Sequence, residues 1–351
     1  MAWTKKERVL AVLNGELPDR IPIFDLIVND DVLEHVSGKK PIAVGDRETV
    51  IRAASQILDI CHPADTPNEI RKEALDNGNI KVYERWTSWE LPQEGKTQEH
   101  LIRQIKREIE EKEAYSISED EIRIYKKNVR QYNRWAGDML YIGYDNKCPI
   151  LPGTVEEGIF IELDEPELVR RWNKASNLVQ MQKLQALADK EDTPVMINFN
   201  DIAMKGSTIH SPELLDELFF PYLHQVCDIA HSKGIKVIYH TDGYLGKVMD
   251  RIIACGVDAL HPIDISAGMS YSEFKGQYGK KTIMVGGMDG VNVLALGSVD
   301  DVVRETRRLL TVGGKNGGLI VASSTGQIDA SMPLQNILAY YETILEYGRY
   351  G

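Results

Sequence analysis

A histidine and a carboxylate follow a short apolar segment in the stretch Ile235-Lys-Val-Ile-Tyr-His-Thr-Asp-Gly243. Its central residues favour a buried β-strand, and the glycine after Asp242 indicates a turn. Because His240 and Asp242 are two residues apart, an extended chain directs both side chains to the same side. Two ionisable groups that converge at the end of an apolar strand are typical of the sites of parallel α/β proteins.

These two residues permit three interpretations. They can provide two ligands to a zinc ion, whose catalytic sites use three protein ligands and leave one position open. They can form an acid–base pair in which the carboxylate sets the tautomer of the imidazole. Alternatively, His240 is a hydrogen-bonded structural residue and Asp242 caps a helix that begins at Tyr244. The sequence alone leaves all three open.

Polar residues follow each of five apolar segments in the second half of the chain. These endings are Asn198-Phe-Asn-Asp201, His240-Thr-Asp242, His261-Pro-Ile-Asp264, Met288-Asp289 and Ser323-Ser-Thr-Gly-Gln327. A single ending of this kind has a structural explanation, because Asp and Asn cap helices and hold turns. Five in succession, two of them with histidine, predict that the endings line one pocket.

The segments around these endings alternate between strand and helix. Strands are predicted at 195–199, 237–239, 257–260, 282–285 and 319–322, and helices at 211–232, 247–254, 299–310 and 333–347. Pro221 should kink the first of these helices. With room for three more units upstream, the alternation predicts an α/β fold, a (β/α)8 TIM barrel forming a single domain over residues 1–351. A doubly wound open sheet is the alternative, weakened because no Gly-x-Gly-x-x-Gly follows a strand.

The first half of the chain is less regular. Residues 81–91, which include Trp86 and Trp89, predict β-structure rich in aromatic side chains. Two strongly charged helical stretches, 99–112 and 118–132, then predict a helical insertion or cap at 93–135.

Composition limits the partners and the compartment. The net charge of −12 argues against nucleic acid or an anionic membrane as the main partner. The four cysteines form no Cys-x-x-Cys pair, which indicates buried reduced thiols. The chain begins with no signal-peptide pattern and contains no apolar run of about 20 residues, so we expect a soluble cytoplasmic protein.

Four segments together resemble the uroporphyrinogen decarboxylase superfamily, over nearly the whole chain. They are Arg8-Val-Leu-Ala-Val-Leu-Asn-Gly-Glu-Leu-Pro-Asp-Arg-Ile-Pro-Ile23, Tyr239-His-Thr-Asp-Gly243, Ala259-Leu-His-Pro-Ile-Asp264 and Val285-Gly-Gly-Met-Asp289. The resemblance implies a distorted (β/α)8 barrel with its site at the carboxyl ends of the strands. It also implies one of two activities, decarboxylation or corrinoid-dependent methyl transfer.

The decarboxylases of this superfamily bind the carboxylates of a tetrapyrrole with an arginine-rich stretch after the first strand. At that place the chain reads Phe24-Asp-Leu-Ile-Val-Asn-Asp30, without arginine, and Asp25 would repel a polycarboxylate. Asp59 is near the position of the decarboxylases' key aspartate, but without the arginines that role is not carried over. The resemblance therefore favours the methyltransferase branch, with a decarboxylase-like lyase as the alternative.

The thiol-methylating members bind zinc through a histidine, a cysteine two residues later and a cysteine near the last strand. His240 matches the histidine, but Asp242 and the segment Ala322-Ser-Ser-Thr325 replace both cysteines. The missing thiolates argue against thiol activation and favour members that demethylate aryl methyl ethers. Methyl transfer from a methylcorrinoid to a thiol or another acceptor is a further alternative. Zinc bound by His240 and Asp242 remains a candidate cofactor.

The resemblance implies that cobalt(I) on a separate corrinoid protein attacks the methyl carbon of a small methoxylated aromatic substrate. Phenolate is a poor leaving group, so the ether oxygen needs a Lewis acid or a proton donor. His240 with Asp242 or a metal is the candidate for that role. The other candidate site residues are Asp201 for catalysis and Asn198, Asn200, Asp25, Trp86, Trp89, His261, Asp289 and Ser324 for substrate contact. The charged helices at 93–135 would shape the docking surface of the corrinoid protein, and a homodimer is a candidate assembly.

Overall fold

Parallel strands close into a ring in the computed structural model, which describes residues 3–62, 65–75, 78–91 and 97–350. Six strands form one hydrogen-bonded sheet, in the order Leu319–Ser323, Ile283–Met288, Ala259–His261, Lys236–His240, Val195–Phe199 and Asp145–Asn146. A separate parallel pair joins Ile60–Cys61 to Leu140–Tyr141, and the chain runs from Leu140–Tyr141 directly into Asp145–Asn146, so that these two segments together form strand 3. The short first strand closes the ring because Ile23 pairs with Val321 and Phe24 with Ile60. The described residues thus form a parallel barrel with strands 1 to 8 ending near residues 24, 61, 146, 199, 240, 261, 288 and 323. The predicted barrel is confirmed, and an open sheet is excluded by the closure.

Helices surround this ring. Their bounds are Lys5–Leu13, Asp30–Ser37, Arg47–Ile57, Gln98–Glu113, Glu119–Ala136, Val155–Asp164, Pro166–Leu187, Pro212–Leu218, Phe220–Ser232, Met249–Ala254, Tyr271–Gln277, Val299–Gly314 and Leu334–Tyr347, with a π-helix at Gly290–Ala295. The helix predicted at 211–232 is interrupted at Phe219, where Pro221 enters the first turn of the second segment. Among the described residues, no helix is both long enough and apolar enough to cross a membrane.

The barrel interior is filled by side chains that alternate along the strands. Ile197, Ile238 and Ala259 belong to one buried cluster, to which the first helix contributes Val9 and Val12. That helix therefore packs against the amino-terminal ends of the strands and closes this end of the barrel. Because strand side chains alternate with a period of two, residues 199, 240 and 261 also point inward, at the opposite end.

The segment between strands 2 and 3 carries extra structure. An antiparallel sheet, with strands at Arg71–Ala74, Ile80–Tyr83 and Ser88–Leu91, precedes the two predicted charged helices. The second of these, Glu119–Ala136, packs against the helices Arg47–Ile57 and Pro166–Leu187. It therefore occupies the position of the barrel helix that connects strands 2 and 3. Residues 92–96, which include the start of the predicted insertion, lie outside the described residues.

The remaining short strands lie in the loops at the carboxyl ends of the barrel strands. Ile27–Val28 pairs in parallel with Ile328–Asp329, which joins the loops after strands 1 and 8. Ala203–Met204 and Ser207–Thr208 form a small hairpin after strand 4. These loops surround the end of the barrel at which the polar strand endings converge.

Candidate functional site

Three ring side chains lie side by side at the carboxyl ends of strands 4, 5 and 6. Strand register pairs His240 with Phe199 on one side and with His261 on the other. Phe199 stacks on His240, with ring centroids 3.8 Å apart and planes inclined by 22°. His62, which follows strand 2, meets the ring of Phe199 at 5.0 Å. The inward-pointing ends of strands 2, 4, 5 and 6 therefore build one aromatic and imidazole surface.

The two neighbouring imidazoles are in direct contact. Nδ1 of His240 lies 2.8 Å from Nδ1 of His261, which is hydrogen-bonding distance. Burial, with a smaller contribution from His62, lowers the pKa of His240 to about 3. Burial and the neighbouring His240 and His62 also hold the pKa of His261 well below its usual value. Both rings are therefore neutral at physiological pH, which is the form of histidine that binds metals.

Two carboxyl groups lie beside His240. One ligand atom each from Asp201, His240 and Asp242 can be chosen so that all three atoms lie within 4.8 Å of one another. Nε2 of His240 is 3.7 Å from Oδ1 of Asp201, and the backbone amide of Asp242 donates to that same oxygen at 3.1 Å. Among the three interpretations of His240 and Asp242, this grouping provides the third candidate ligand that a metal site needs.

The carboxyl group of Asp242 is poorly stabilised as an anion. Its Oδ1 is buried and has no hydrogen-bond partner among the described residues. Burial, and then the charges of Asp201 and Asp264, raise its pKa to about 7. No helix begins at Tyr244, since the next helix begins at Met249 with Val248 as its N-cap, so the capping interpretation of Asp242 is wrong. A bound cation or a proton would offset the charge of this group.

A glycine brings the two carboxyl-bearing loops together. Gly243 has a φ of +97°, and a Cβ at this position would lie 2.5 Å from the carbonyl carbon of Ala203. The loop after strand 5 can therefore pack directly on the loop after strand 4 only because residue 243 has no side chain. The amide of Gly243 donates to Oδ2 of Asp264 at 3.1 Å, which ties the same turn to the loop after strand 6. Asp201 and Asp242 are close together for this reason.

Two predicted substrate-contact residues, Asn198 and Asn200, connect strand 4 to the loop after strand 3. Asn198 points away from the barrel axis, and its Nδ2 donates to Oδ1 of Asn146 at the end of strand 3, at 3.3 Å, and to Sγ of Cys148 in the following loop, at 3.4 Å. Asn200 accepts from the backbone amide of Cys148 at 2.6 Å and donates to its carbonyl oxygen at 3.2 Å. Both asparagine side chains therefore hold the neighbouring loop in place.

The predicted residues Asp25, Asp289 and Ser324 also engage the backbone. Asp25 is completely buried, and it accepts from the amide of Ser323 at 2.9 Å and from the hydroxyl of Tyr341 at 3.1 Å. Burial raises the pKa of Asp25 to about 7. Asp289 accepts from two amides at the start of the π-helix, and the hydroxyl of Ser324 accepts from the amide of Gly290 at 3.4 Å. These three residues hold the loops after strands 1, 7 and 8.

The tryptophans predicted to stack on a substrate belong to the additional antiparallel sheet. Trp89 lies in its last strand and is 44% exposed. Trp86 lies in the preceding turn and donates from Nε1 to Asp30 at 3.1 Å. The aromatic rings beside the histidines are instead Phe199 and Phe24, and the Phe24 ring meets His261 edge-on at 4.7 Å.

Sequence reasoning did not single out His62 and Phe199. His62 directly follows strand 2, whereas His240 is the last residue of strand 5. The pattern of residues 50–60 predicts a helix that runs into this two-residue strand, so no strand end is expected there. Phe199 lies between two asparagines in the ending of strand 4, and the sequence pattern there indicates only the polar residues as site candidates. Its inward direction follows from the alternation 195, 197, 199.

Comparisons with known proteins place the chain in a family. A model of the family described as "Uroporphyrinogen decarboxylase (URO-D)" matches residues 163–347. No curated protein sequence matches the chain.

Two solved structures align with the chain. A methyltransferase from Methanosarcina mazei aligns over 98% of this chain and 99% of its own, with 15% sequence identity and a TM-score of 0.67. A D-tagatose 3-epimerase-like protein aligns over 66% of this chain and 83% of its own, at 14% identity and a TM-score of only 0.32. At 15% sequence identity, the similarity to the Methanosarcina mazei protein shows a shared fold and nothing further. Because the family model covers more than half of the sequence, the chain belongs to the uroporphyrinogen decarboxylase family.

Proposed function

We propose that this protein is a corrinoid-dependent methyltransferase. It would move a methyl group from a small methoxylated aromatic compound to the cobalt of a corrinoid carried by a partner protein. The observation that supports the proposal is the cluster of Asp201, His240 and Asp242 at the carboxyl end of the barrel. A cleavable ether oxygen must be activated, and this cluster offers the groups that can do so.

The cluster fits a divalent metal ion such as zinc. His240 is neutral and already engages Nδ1 with His261, which leaves Nε2 as the ligand atom. Asp242 has a buried oxygen without a partner in the described chain, and Asp201 lies 3.7 Å from the imidazole. One nitrogen and two carboxylate oxygens form an acceptable zinc ligand set that leaves a position for substrate. When bound there, the metal would supply Lewis-acid chemistry towards the ether oxygen.

The residues around the cluster suit the organic half of the reaction. The C–O bond to the methyl carbon breaks, the methyl group passes to cobalt, and the electron pair remains on the aryl oxygen, which then takes up a proton. Phe199, which is partly exposed beside His240, provides an aromatic surface for a small ring. In a metal-free form, Asp242 with its pKa near 7 would hold the proton that the leaving oxygen requires.

Decarboxylation of a polycarboxylate is the weaker candidate. The segment after strand 1 lacks arginine, and Asp25 is buried there against Ser323 and Tyr341. The two arginines that precede strand 1 in sequence, Arg8 and Arg20, are paired with Asp59 at the amino-terminal end of the barrel. They therefore lie at the wrong end to bind substrate carboxylates at the mouth.

The test combines turnover with metal analysis. The purified protein is incubated with a methoxyphenol and cob(I)alamin as a substitute for the corrinoid partner, and methylcobalamin and the demethylated phenol are measured. We expect both products, and a rate lowered at least about 100-fold in His240→Ala and Asp242→Asn. Asp228→Asn, which changes an exposed helix carboxylate, should retain the wild-type rate.

Carbon dioxide release from a carboxylated substrate without corrinoid would instead support the lyase. An unchanged rate in His240→Ala would refute the role of the cluster. Zinc content near one ion per chain supports the Lewis-acid version, whereas an active metal-free protein supports the general-acid version.

A further inference from the structure

The contact between the two imidazoles restricts where their protons can lie. His240 and His261 are 3% and 2% exposed, and their Nδ1 atoms are 2.8 Å apart. A hydrogen bond at this distance needs one protonated and one unprotonated nitrogen. If His240 carries its proton on Nδ1, then His261 must carry its own on Nε2, and the reverse also holds for neutral rings. The two tautomers are therefore linked.

The free nitrogen of each ring faces a different environment. Nε2 of His240 faces Asp201 at 3.7 Å, within the cluster that fits a metal ion. Nε2 of His261 is buried, and it has no hydrogen-bond partner among the described residues. The ring of His261 lies against the ring of Phe24, and a Cβ on Gly326 would be 3.8 Å from its Cε1. This nitrogen is thus a buried polar atom that is packed between an aromatic ring and the backbone of Gly326.

We propose that His240 and His261 form a tautomer relay, in which metal binding at His240 turns Nε2 of His261 from a hydrogen-bond acceptor into a donor. This rests on the proposed function only for the metal at His240. Without metal, the carboxylate of Asp201 favours the proton on Nε2 of His240. That state places the proton of His261 on Nδ1 and leaves its Nε2 bare.

A metal ligand atom must carry a lone pair, so metal binding moves the proton of His240 to Nδ1. His240 then donates to His261, whose proton must be on Nε2. No proton is gained or lost by the pair, because each ring keeps one. The N–H of His261 is then an unpaired donor at the carboxyl end of the barrel, which an oxygen acceptor of a small ligand would satisfy. The chemical class expected at this nitrogen is an ether or phenol oxygen.

The relay can be tested by nitrogen NMR, independently of turnover. The chain has eight histidines, so a spectrum of the protein with ¹⁵N-labelled histidine is sparse, and His261→Asn and His240→Ala assign the two rings. The metal-free protein is compared with the same sample after one equivalent of Zn²⁺. We expect both rings to exchange which nitrogen is protonated, with Nε2 of His261 bare before and protonated after zinc. Phenol added to the zinc form should then shift the Nε2–H signal of His261.

Three outcomes would overturn the relay: a response to zinc by His240 alone, a His261 Nε2 that is protonated in both states, or no zinc binding. A second measurement uses His261→Asn and His261→Gln, because a glutamine amide reaches the place of Nε2 and an asparagine amide does not. Phenol affinity of the zinc form should fall about tenfold in His261→Asn and less in His261→Gln, with His100→Asn on an exposed helix as control. Equal losses in both would contradict the relay.

Failure of the proposed function is recognised separately. A tautomer exchange without any methyl transfer refutes the methyltransferase and leaves the relay. An active methyltransferase whose His261 signals do not respond to zinc refutes the relay alone.

Discussion

The guanidinium of Arg8 donates a hydrogen bond of 2.6 Å to Oδ1 of Asp59, and Arg20 donates one of the same length to Oδ2. Asp59 is fully buried, and its Oδ2 also accepts from the amide of Ile23 at 2.9 Å. The charge network joins the first helix to the starts of strands 1 and 2. It therefore closes the amino-terminal end of the barrel, opposite the histidines, which places Asp59 away from the candidate site.

Loss of this buried carboxylate should destabilise the fold. Asp59→Asn leaves two arginines near a neutral partner, so we expect the free energy of unfolding to fall by about 3–5 kcal/mol. Urea unfolding followed by tryptophan fluorescence measures the change. Glu48→Gln, which breaks an exposed helix pair with Arg52, is the control and should cost less than about 1 kcal/mol. An equally small loss for Asp59→Asn would show that the network is not needed for stability.

The pKa of Asp242 predicts how the stability of the metal-free protein depends on pH. Burial and the charges of Asp201 and Asp264 raise this pKa from 3.8 to about 7 in the folded protein. Between these values the folded chain holds a proton that the unfolded chain has released, so stability falls as pH rises through this window. Asp242→Asn cannot ionise, and at pH 8 it should be more stable than the wild type by about 1–3 kcal/mol.

Thermal unfolding from pH 4 to 8 with a chelator present measures this difference, which should shrink towards pH 4. Asp25, whose pKa is also about 7, is present in both proteins, so its effect cancels in the comparison. Excess zinc should reverse the order at pH 8 by stabilising the wild type. If the variant is less stable than the wild type at pH 8 without metal, then the buried charge of Asp242 does not destabilise the folded protein and this prediction is wrong.

Two adjacent buried tyrosines offer a matched pair. The hydroxyl of Tyr341 donates to Asp25 at 3.1 Å, whereas that of Tyr340 is buried without a partner among the described residues. Tyr341→Phe should therefore destabilise the protein at pH 8 by about 1–3 kcal/mol, because it removes a donor to a buried carboxylate. Tyr340→Phe removes only an unpaired hydroxyl and should be neutral or slightly stabilising. Urea unfolding of both variants checks this, and equal effects would rule out a specific role for the Tyr341 hydroxyl.

The ends of the strands could be predicted from the sequence more accurately than the direction in which each side chain points. Strands 4 to 8, and the histidines at the ends of two of them, follow from the regular alternation of strand and helix segments. The face of a strand on which a residue lies is harder to predict, because a shift of one residue exchanges the two faces. Asn198 and Phe199 illustrate this, because the polar residue points outward and the aromatic residue points to the site. Strand 2 has only two residues and therefore too little pattern to reveal His62.

The three candidate metal ligands come together through contacts between loops, and such contacts cannot be predicted from local sequence patterns. Asp201 is far from Asp242 in sequence, and the two meet because the turn at Gly243 packs on Ala203. The sequence predicts a turn at this glycine, but it does not predict what the turn contacts. The third candidate ligand, Asp201, could therefore be identified only from the tertiary structure.

The same turn provides a test of how the cluster is assembled. In Gly243→Ala the new Cβ would meet the backbone of Ala203 at 2.5 Å, so the loops after strands 4 and 5 must separate. Because these loops carry Asp201 and Asp242, we expect zinc affinity to fall at least about tenfold, equivalent to about 1.4 kcal/mol. Gly206 has a similarly positive φ of +81° but open space around its Cβ position, so Gly206→Ala reproduces the backbone strain without the collision. Competition titration with a zinc indicator compares both variants with the wild type. Equal affinities in Gly243→Ala and Gly206→Ala would mean that the packing of these two loops does not assemble the site.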